Sequence, residues 1–480
     1  MKLRLVTLVT ILAIAIAAAV PIPAFAQAPA YNTSFTTSIT YQNVDTAATT
    51  TLNILFYPNE TSTSPITIAR PSLPAGAGTS LFIGSLSEIA SGFHGSAVME
   101  SDKLLVATLV QLPLNSTTVK NRPLSNGFSA GAPQMLLATV LKNQFSESSQ
   151  FSVQNSDGVP NDLDIKFYDT TAAMKHEIKI NVQPGASYYV DAGQIAELGA
   201  SFNGSVVVTA KHADGTPGNI VASVTELSTA GPTPALAFEG VASGANTFFM
   251  PSAICNGYPK ASGNQNSAYA VQNSSLTAST SVTVKYSNGV QDTKPIGPGA
   301  KASFVACAAP SMPSGFTGSA TISSTATPVI AIGKIYGQGL STGFVGASTG
   351  APKLALPYVR WSQTQYTTGA RQRTFIAIQN VGGASIPAGS IKINYNDKNG
   401  NTLATHTIAT AVATGAKVNS NPNQNAATAE FGYYPDNTFG GSAIVQCTAP
   451  SCQLVVIARV TSMLPDGSEV GEDYNGIVVP

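Results

Sequence analysis

The chain has 480 residues, with 24 basic and 24 acidic side chains, so its formal net charge is zero. Charged residues make up 10% of the chain, against about 25% in ordinary globular proteins, which excludes the basic field that nucleic-acid binding needs. Hydrophobic residues at 43% exclude a disordered stalk, and the length calls for several packed domains.

Positions 1–26 read as a signal peptide. Lys2 and Arg4 give the positive start, and Leu5 to Val20 is apolar apart from Thr7 and Thr10. Ala24-Phe25-Ala26 then supplies a small-x-small cleavage site before Gln27. Cleavage would leave 22 basic and 24 acidic residues. No later apolar run reaches the about 18 residues that span a bilayer. The expectation is a secreted, extracellular or cell-surface chain with no transmembrane segment after cleavage.

The rest of the chain divides into four copies of one unit: 27–128, 129–240, 241–346 and 347–480. Upstream in each copy lies a Gln-Asn pair, at Gln42-Asn43, Gln154-Asn155, Gln272-Asn273 and Gln379-Asn380. A strand ending in Tyr comes next, at Tyr57, Tyr168, Tyr286 and Tyr395. A Gly-Ala turn follows at Gly76, Gly185, Gly299 and Gly415, then Phe-x-Gly-Ser at Phe93, Phe202, Phe316 and Phe439. The four Phe are 109, 114 and 123 residues apart. Four landmarks in one order, four times, establish the repeat. Stretches such as Leu163 to Tyr168 alternate apolar with polar residues, the period of a half-buried strand. Pro184-Gly185 and Pro298-Gly299 suit the central positions of a type II turn. The Asn of Gln-Asn is placed to satisfy loop backbone through its side chain, and the Gly of Phe-x-Gly-Ser allows a bulge or a close backbone approach. Helical periodicity is confined to short turns near Ser87 and Gln194. The expected fold is all-β: four tandem antiparallel β-sandwich domains, immunoglobulin-like in the broad sense. Gly- and Ala-rich bridges join the copies, and Tyr474 to Pro480 begins such a bridge and stops.

Ile378-Gln379-Asn380 with Asn394-Tyr395-Asn396-Asp397-Lys398-Asn399-Gly400 carries the closest likeness to a known repeat. The pattern resembles the tandem β-sandwich repeat of large secreted cell-surface proteins from Chloroflexi-type environmental bacteria, over residues 28 to 480. That resemblance implies an extracellular module and brings no active site. The first copy departs most, with Pro-Asn-Glu after Tyr57.

Four Cys in an exported chain suggest two disulfides. Pairing within copies joins Cys255 to Cys307 and Cys447 to Cys452. The four His (His94, His176, His212 and His406) fall at different landmarks, so none belongs to a repeated site. No nucleophile, zinc or phosphate-loop motif occurs; no catalytic residue, metal site or cofactor is assigned. Asp157 to Asp164 and Asn396 to Gly400 look like calcium loops but read more simply as turns. Candidate ligand contacts are the adjacent rings Tyr188 and Tyr189, the lone Trp361, and Tyr433 and Tyr434, although packing explains them more simply. Loop differences at Lys211–Asn219, Asn256–Asn266 and Asn419–Asn425 are the other places where specificity could lie. The reading that remains is a non-enzymatic structural or adhesive protein of spacer-like modules. Its expected contacts are cell-envelope components, further copies of itself through edge strands and a free terminal bridge, or, as the alternative, glycans.

Overall fold

The computed structural model describes residues 31–114, 119–229, 235–366, 371–424, 430–436 and 438–480. It is built of antiparallel strands, with only single 3-10 turns such as Ala192–Gln194 and Ala196–Leu198 between them. The second copy shows the plan. One sheet has the order Met174–Val182, Asn161–Asp169, Phe202–Lys211, Gln134–Lys142; the facing sheet has Ser187–Asp191, Glu147–Asn155, Ile220–Ser228, Ala235–Glu239. Alternate residues of Asn161–Asp169 are buried, so Leu163, Ile165 and Phe167 fill the sandwich with Phe151 and Val153 of the opposite sheet. The third and fourth copies repeat this arrangement with local additions.

The landmark residues hold each sandwich together from inside. Asn43, Asn155, Asn273 and Asn380 are fully buried. Asn155 donates through Nδ2 to the carbonyls of Val159 (2.8 Å) and Val182 (2.9 Å), and its Oδ1 accepts from the Asp157 amide (2.8 Å). Asn380 does the same with Ala384, Val412 and Gly382. One side chain thus ties the end of its own strand to a loop and to the turn after a strand in the facing sheet. The turn glycines have φ of +71°, +74°, +66° and +78°, the conformation a type II turn demands at its third residue. In Phe-x-Gly-Ser the glycine is needed for close approach: a Cβ on Gly95 would lie 1.9 Å from the Tyr57 carbonyl oxygen, and one on Gly204 2.2 Å from that of Tyr168. The Phe of this motif varies more, buried at Phe202 and exposed at Phe439.

The copies are not strung out as spacers. The Ser of Phe-x-Gly-Ser in the first three copies bonds to the next copy. Ser96 Oγ donates to the Gly185 carbonyl (2.7 Å), Ser205 Oγ to that of Gly299 (2.6 Å), and Ser319 Oγ to that of Gly415 (2.7 Å). The fourth copy returns to the first, where Ser442 packs against Gly78 and the buried Arg360 donates through Nη2 to Ser80 Oγ (3.2 Å). Four interfaces therefore close a ring. The last full strands of the copies, Leu124–Asn126, Ala235–Glu239, Leu340–Val345 and Glu469–Asn475, lie side by side around its axis.

This corrects two expectations. Spacer-like modules give way to a closed ring, because the shared Ser and Gly are spent on copy-to-copy bonds. The terminal bridge is not free: Glu469–Asn475 pairs with Leu454–Met463, and Ile477–Val478 pairs with Leu354 and Ala355.

Replacing Asn155 with Ala takes the side-chain donor from the buried Val182 carbonyl and from the more exposed Val159 carbonyl, which should cost about 1–3 kcal/mol in urea unfolding. A loss within about 0.5 kcal/mol of zero, the usual range for surface changes, would contradict the role given to this side chain.

Candidate functional site

Two features stand out as places where the ring could act: the axis, and a cleft between the first and second copies.

At the axis Leu124, Leu236, Thr342 and Glu472, one from each copy, border one narrow gap. Every junction has a charged contact there. Glu239 of the second copy accepts from the Asn126 amide of the first. Lys334 of the third copy meets Glu226 of the second, with Glu147 at 3.8 Å. Lys260 meets Glu469 between the third and fourth copies, and Arg122 Nε lies 3.1 Å from Glu472 between the first and fourth. Asn475 adds a two-way bond, donating to the Val345 carbonyl (2.7 Å) and accepting from its amide (2.9 Å). Burial pushes the Glu472 carboxyl up to about 7, which Arg122 offsets only in part. Burial likewise raises Glu147 to about 7, and burial together with Lys334 lowers the Lys301 ammonium to about 7. Such groups fix the register of packed surfaces at a desolvation cost. Glu472 and Glu147 belong to structural ion pairs, Lys301 donates to the Thr139 hydroxyl (2.8 Å), and none of the three lines the cleft between the first two copies.

The cleft has a volume of about 1900 Å³. One wall is the first sandwich, at Phe93, Met99 and Leu109; the other is the second, at Ser152, Val221 and Ser223. Tyr189, 36% exposed, also borders it and meets the ring of His94 edge-on at 4.4 Å.

The other candidate contacts lie elsewhere and are engaged. Tyr188 is half-buried against the core of the second copy. Trp361 is no platform: it is 5% exposed, with Phe375 edge-on at 5.8 Å and the Arg373 guanidinium 4.8 Å over its ring. Tyr433 accepts from the Gln372 amide (2.8 Å) and lies under the Arg371 guanidinium at 4.4 Å. Tyr434 accepts from the Lys398 amide (2.8 Å) and donates to the Gly440 carbonyl (2.7 Å), stapling two loops of the fourth copy. These three rings are structural because each hydroxyl or ring face already has a partner within the fold, or the ring is buried.

Cys255 is bonded to Cys307 and Cys447 to Cys452. Closing the 52-residue separation of the first pair adds about 4 kcal/mol in the chain-entropy picture. The acidic loops are turns in the structure. Asp397 Oδ1 accepts from the amides of Asn399 and Asn401, and Asp157 is taken up by Asn161, His212 and Asn219. Among the described residues no group of three or more His, Cys, Asp or Glu is arranged to hold a metal ion. Part of the Asn419–Asn425 insertion lies outside the described residues, which stop at 424 before resuming at 430. Sequence reasoning misses both the axis and the cleft. The axis strands look like bridges in the sequence, and their charges are not shared between copies, so no repeat signal marks them.

No protein-family model matches the chain, and no curated protein does. Solved structures give distant similarities. An anti-sigma factor domain-containing protein is 8% identical, over 87% of this chain and 99% of that one, with a TM-score of 0.13. A structure described as bearing on host cell surface retention of a 1.5-MDa bacterial ice-binding adhesin is 11% identical, over 72% and 98%, with a TM-score of 0.12. A tetra-tandem repeat from the extending region of a large adhesion protein is 10% identical, over 94% and 97%, with a TM-score of 0.09. Scores this low carry no argument about arrangement or activity.

The axial carboxyls predict a pH dependence. An acid whose value in the fold lies above its unfolded value, 4.5 for Glu472, stabilises fully below that value and loses its contribution as pH rises through the folded one. Lys301 adds no slope below about 7, being protonated in both states there. Thermal stability should therefore fall between about pH 5 and pH 7.5, and Glu472→Gln should flatten part of that fall. Equal slopes for the two chains, measured by calorimetry, would contradict the assignment.

Proposed function

We propose that this chain is an exported, non-enzymatic structural protein, in which four sandwiches form one rigid ring that serves as a scaffold or adhesive element at the cell exterior. The observation that carries the reading is the serine-to-glycine relay between copies. Every landmark the copies share is used to build a sandwich or to join it to the next, so the repeat encodes assembly and leaves no repeated reactive group. The two disulfides fit an oxidising compartment. Among the described residues no helix is long and apolar enough to cross a membrane. Cell-envelope components and further copies of the chain are the contacts this role would use.

Glycan binding is the second reading, and it now rests on one ring. Tyr189 is exposed at the mouth of the cleft, whereas Trp361, Tyr433 and Tyr434 are not available.

Fractionation of expressing cells should place the mature chain with the washed envelope or in an extracellular assembly. Recovery solely as free monomer in the medium would overturn the structural reading. On a glycan array the chain should bind nothing above background; a hit abolished by Tyr189→Ala would favour the second reading instead.

A further inference from the structure

The junction between the second and third copies differs from the others in the chemistry it places together. Glu226 lies on Ile220–Ser228 of the second copy and Lys334 on Val329–Gly337 of the third. The Glu226 side chain is fully buried, and its Oε2 meets Lys334 Nζ. Oε1 of the same carboxyl is buried and receives no donor from the fold. A second acid stands beside it. Glu147 pairs in register with Ser228, and Glu226 with Ser149, which makes the two Glu diagonal neighbours on one face of the sheet. Glu147 Oε2 is 3.8 Å from Lys334 Nζ. The Glu147 and Glu226 carboxyls hydrogen-bond each other, which needs a proton on one of them.

The charged contacts at the other junctions are built differently. Between the fourth and first copies the cation is Arg122, whose guanidinium stays protonated and offers no amine. Between the third and fourth, Lys260 meets Glu469, but both oxygens of that carboxyl have donors of their own. Oε1 accepts from the Tyr366 hydroxyl (3.1 Å) and Oε2 from Gln265 (2.8 Å). Between the first and second, Glu239 accepts from a backbone amide. At the junction of the second and third copies, by contrast, a lysine amine, a fully buried carboxyl and a proton-carrying acid converge.

We propose that Lys334 and Glu226 become joined by an amide bond, formed inside the folded ring with Glu147 carrying the protons. The step balances without a co-reactant. The Lys334 ammonium passes a proton to the Glu226 carboxylate, which leaves an amine and a carboxylic acid. The amine nitrogen attacks Glu226 Cδ, and the C–N bond forms. Glu147 gives its proton to the departing hydroxyl oxygen and takes one from the nitrogen. The C–O bond breaks, one water leaves, and Glu147 ends protonated as it began.

The site favours this condensation in three ways. All three side chains project from strands, so the approach of nitrogen to carbonyl carbon is fixed before reaction. Burial, offset in part by Lys334, raises Glu147 to about 7, where it holds and releases a proton near neutrality. Burial also works against the Lys334 ammonium, although Glu226 and Glu147 more than restore it, so the first proton transfer is the demanding step. Third, the product is a neutral amide in place of two buried charges, which removes the desolvation cost of the ion pair. The bond would span 108 residues of sequence and lock the second copy to the third. This inference rests on the ring geometry and is independent of where the protein acts.

The test is mass spectrometry of the chain from Gln27 to Pro480, purified folded at neutral pH and then reduced and denatured. The chain should weigh one water less than its sequence, and digestion should release a branched peptide that carries both Glu226 and Lys334. Lys334→Arg keeps a cation opposite Glu226 but offers no amine; it should show no water loss and melt at a lower temperature. Glu147→Gln keeps both partners and removes the acid, so it should form the link at least roughly tenfold more slowly. Cyclisation of Gln27 loses ammonia, is common to all three chains and lies in a different peptide. The full sequence mass in the unmodified chain, with no branched peptide, would overturn the proposal whatever the variants do. A water loss that persists in Lys334→Arg would place it elsewhere and overturn it as well. An unchanged rate in Glu147→Gln would overturn the role given to Glu147.

Discussion

The structure depends on one carbonyl oxygen in each copy. In the turn of the second copy the Gly185 carbonyl accepts from Gln154 Nε2 of its own sandwich (2.9 Å) and from Ser96 Oγ of the preceding one (2.7 Å). Gly299 is held in the same way by Gln272 (3.3 Å) and Ser205 (2.6 Å), and Gly415 by Gln379 (3.4 Å) and Ser319 (2.7 Å). A positive φ turns this carbonyl outward, which is why the position is glycine in every copy. The absent side chain also admits a ring from the preceding copy: a Cβ on Gly185 would fall 2.3 Å from Cζ of Tyr57. Gln, Tyr, Gly and Ser are thus parts of one joint.

Closure comes from where that joint is modified. At the junction of the fourth and first copies Gln42 still reaches the Gly76 carbonyl (3.2 Å), but Ser442 Oγ has no partner, and Arg360 supplies the contact to Ser80. The Gly400 loop presses on Gly76 there, where a Cβ on Gly76 would lie 3.3 Å from the Gly400 carbonyl oxygen. Apolar surface joins in, since Val44 and Val106 of the first copy pack with Ala355 and Val479 of the fourth. The axial charges then differ from junction to junction. Removing one partner of such a buried pair would strand the other without its counter-ion.

Much of the sandwich was legible in the sequence, because its determinants are local. Alternation in Leu163 to Tyr168, the Pro-Gly turns and the buried Asn each announce a strand, a turn or a tie within a few residues. The ring was not legible, because the same landmarks serve both purposes: nothing in Phe-x-Gly-Ser says that its Ser bonds across a copy boundary. Tyr433 and Tyr434 are engaged for a related reason. Adjacent Tyr residues in a strand must present one ring outward from the sheet, yet outward at Tyr433 and Tyr434 means toward Arg371 and Lys398, which cover them.

Closure of the ring is most directly tested by small-angle X-ray scattering of the chain from Gln27 to Pro480. A closed ring predicts a radius of gyration of about 22–26 Å, near that of a compact protein of this length, and a single-peaked distance distribution. A radius roughly twice as large, as four sandwiches on a string would give, with a long tail in that distribution, would contradict it.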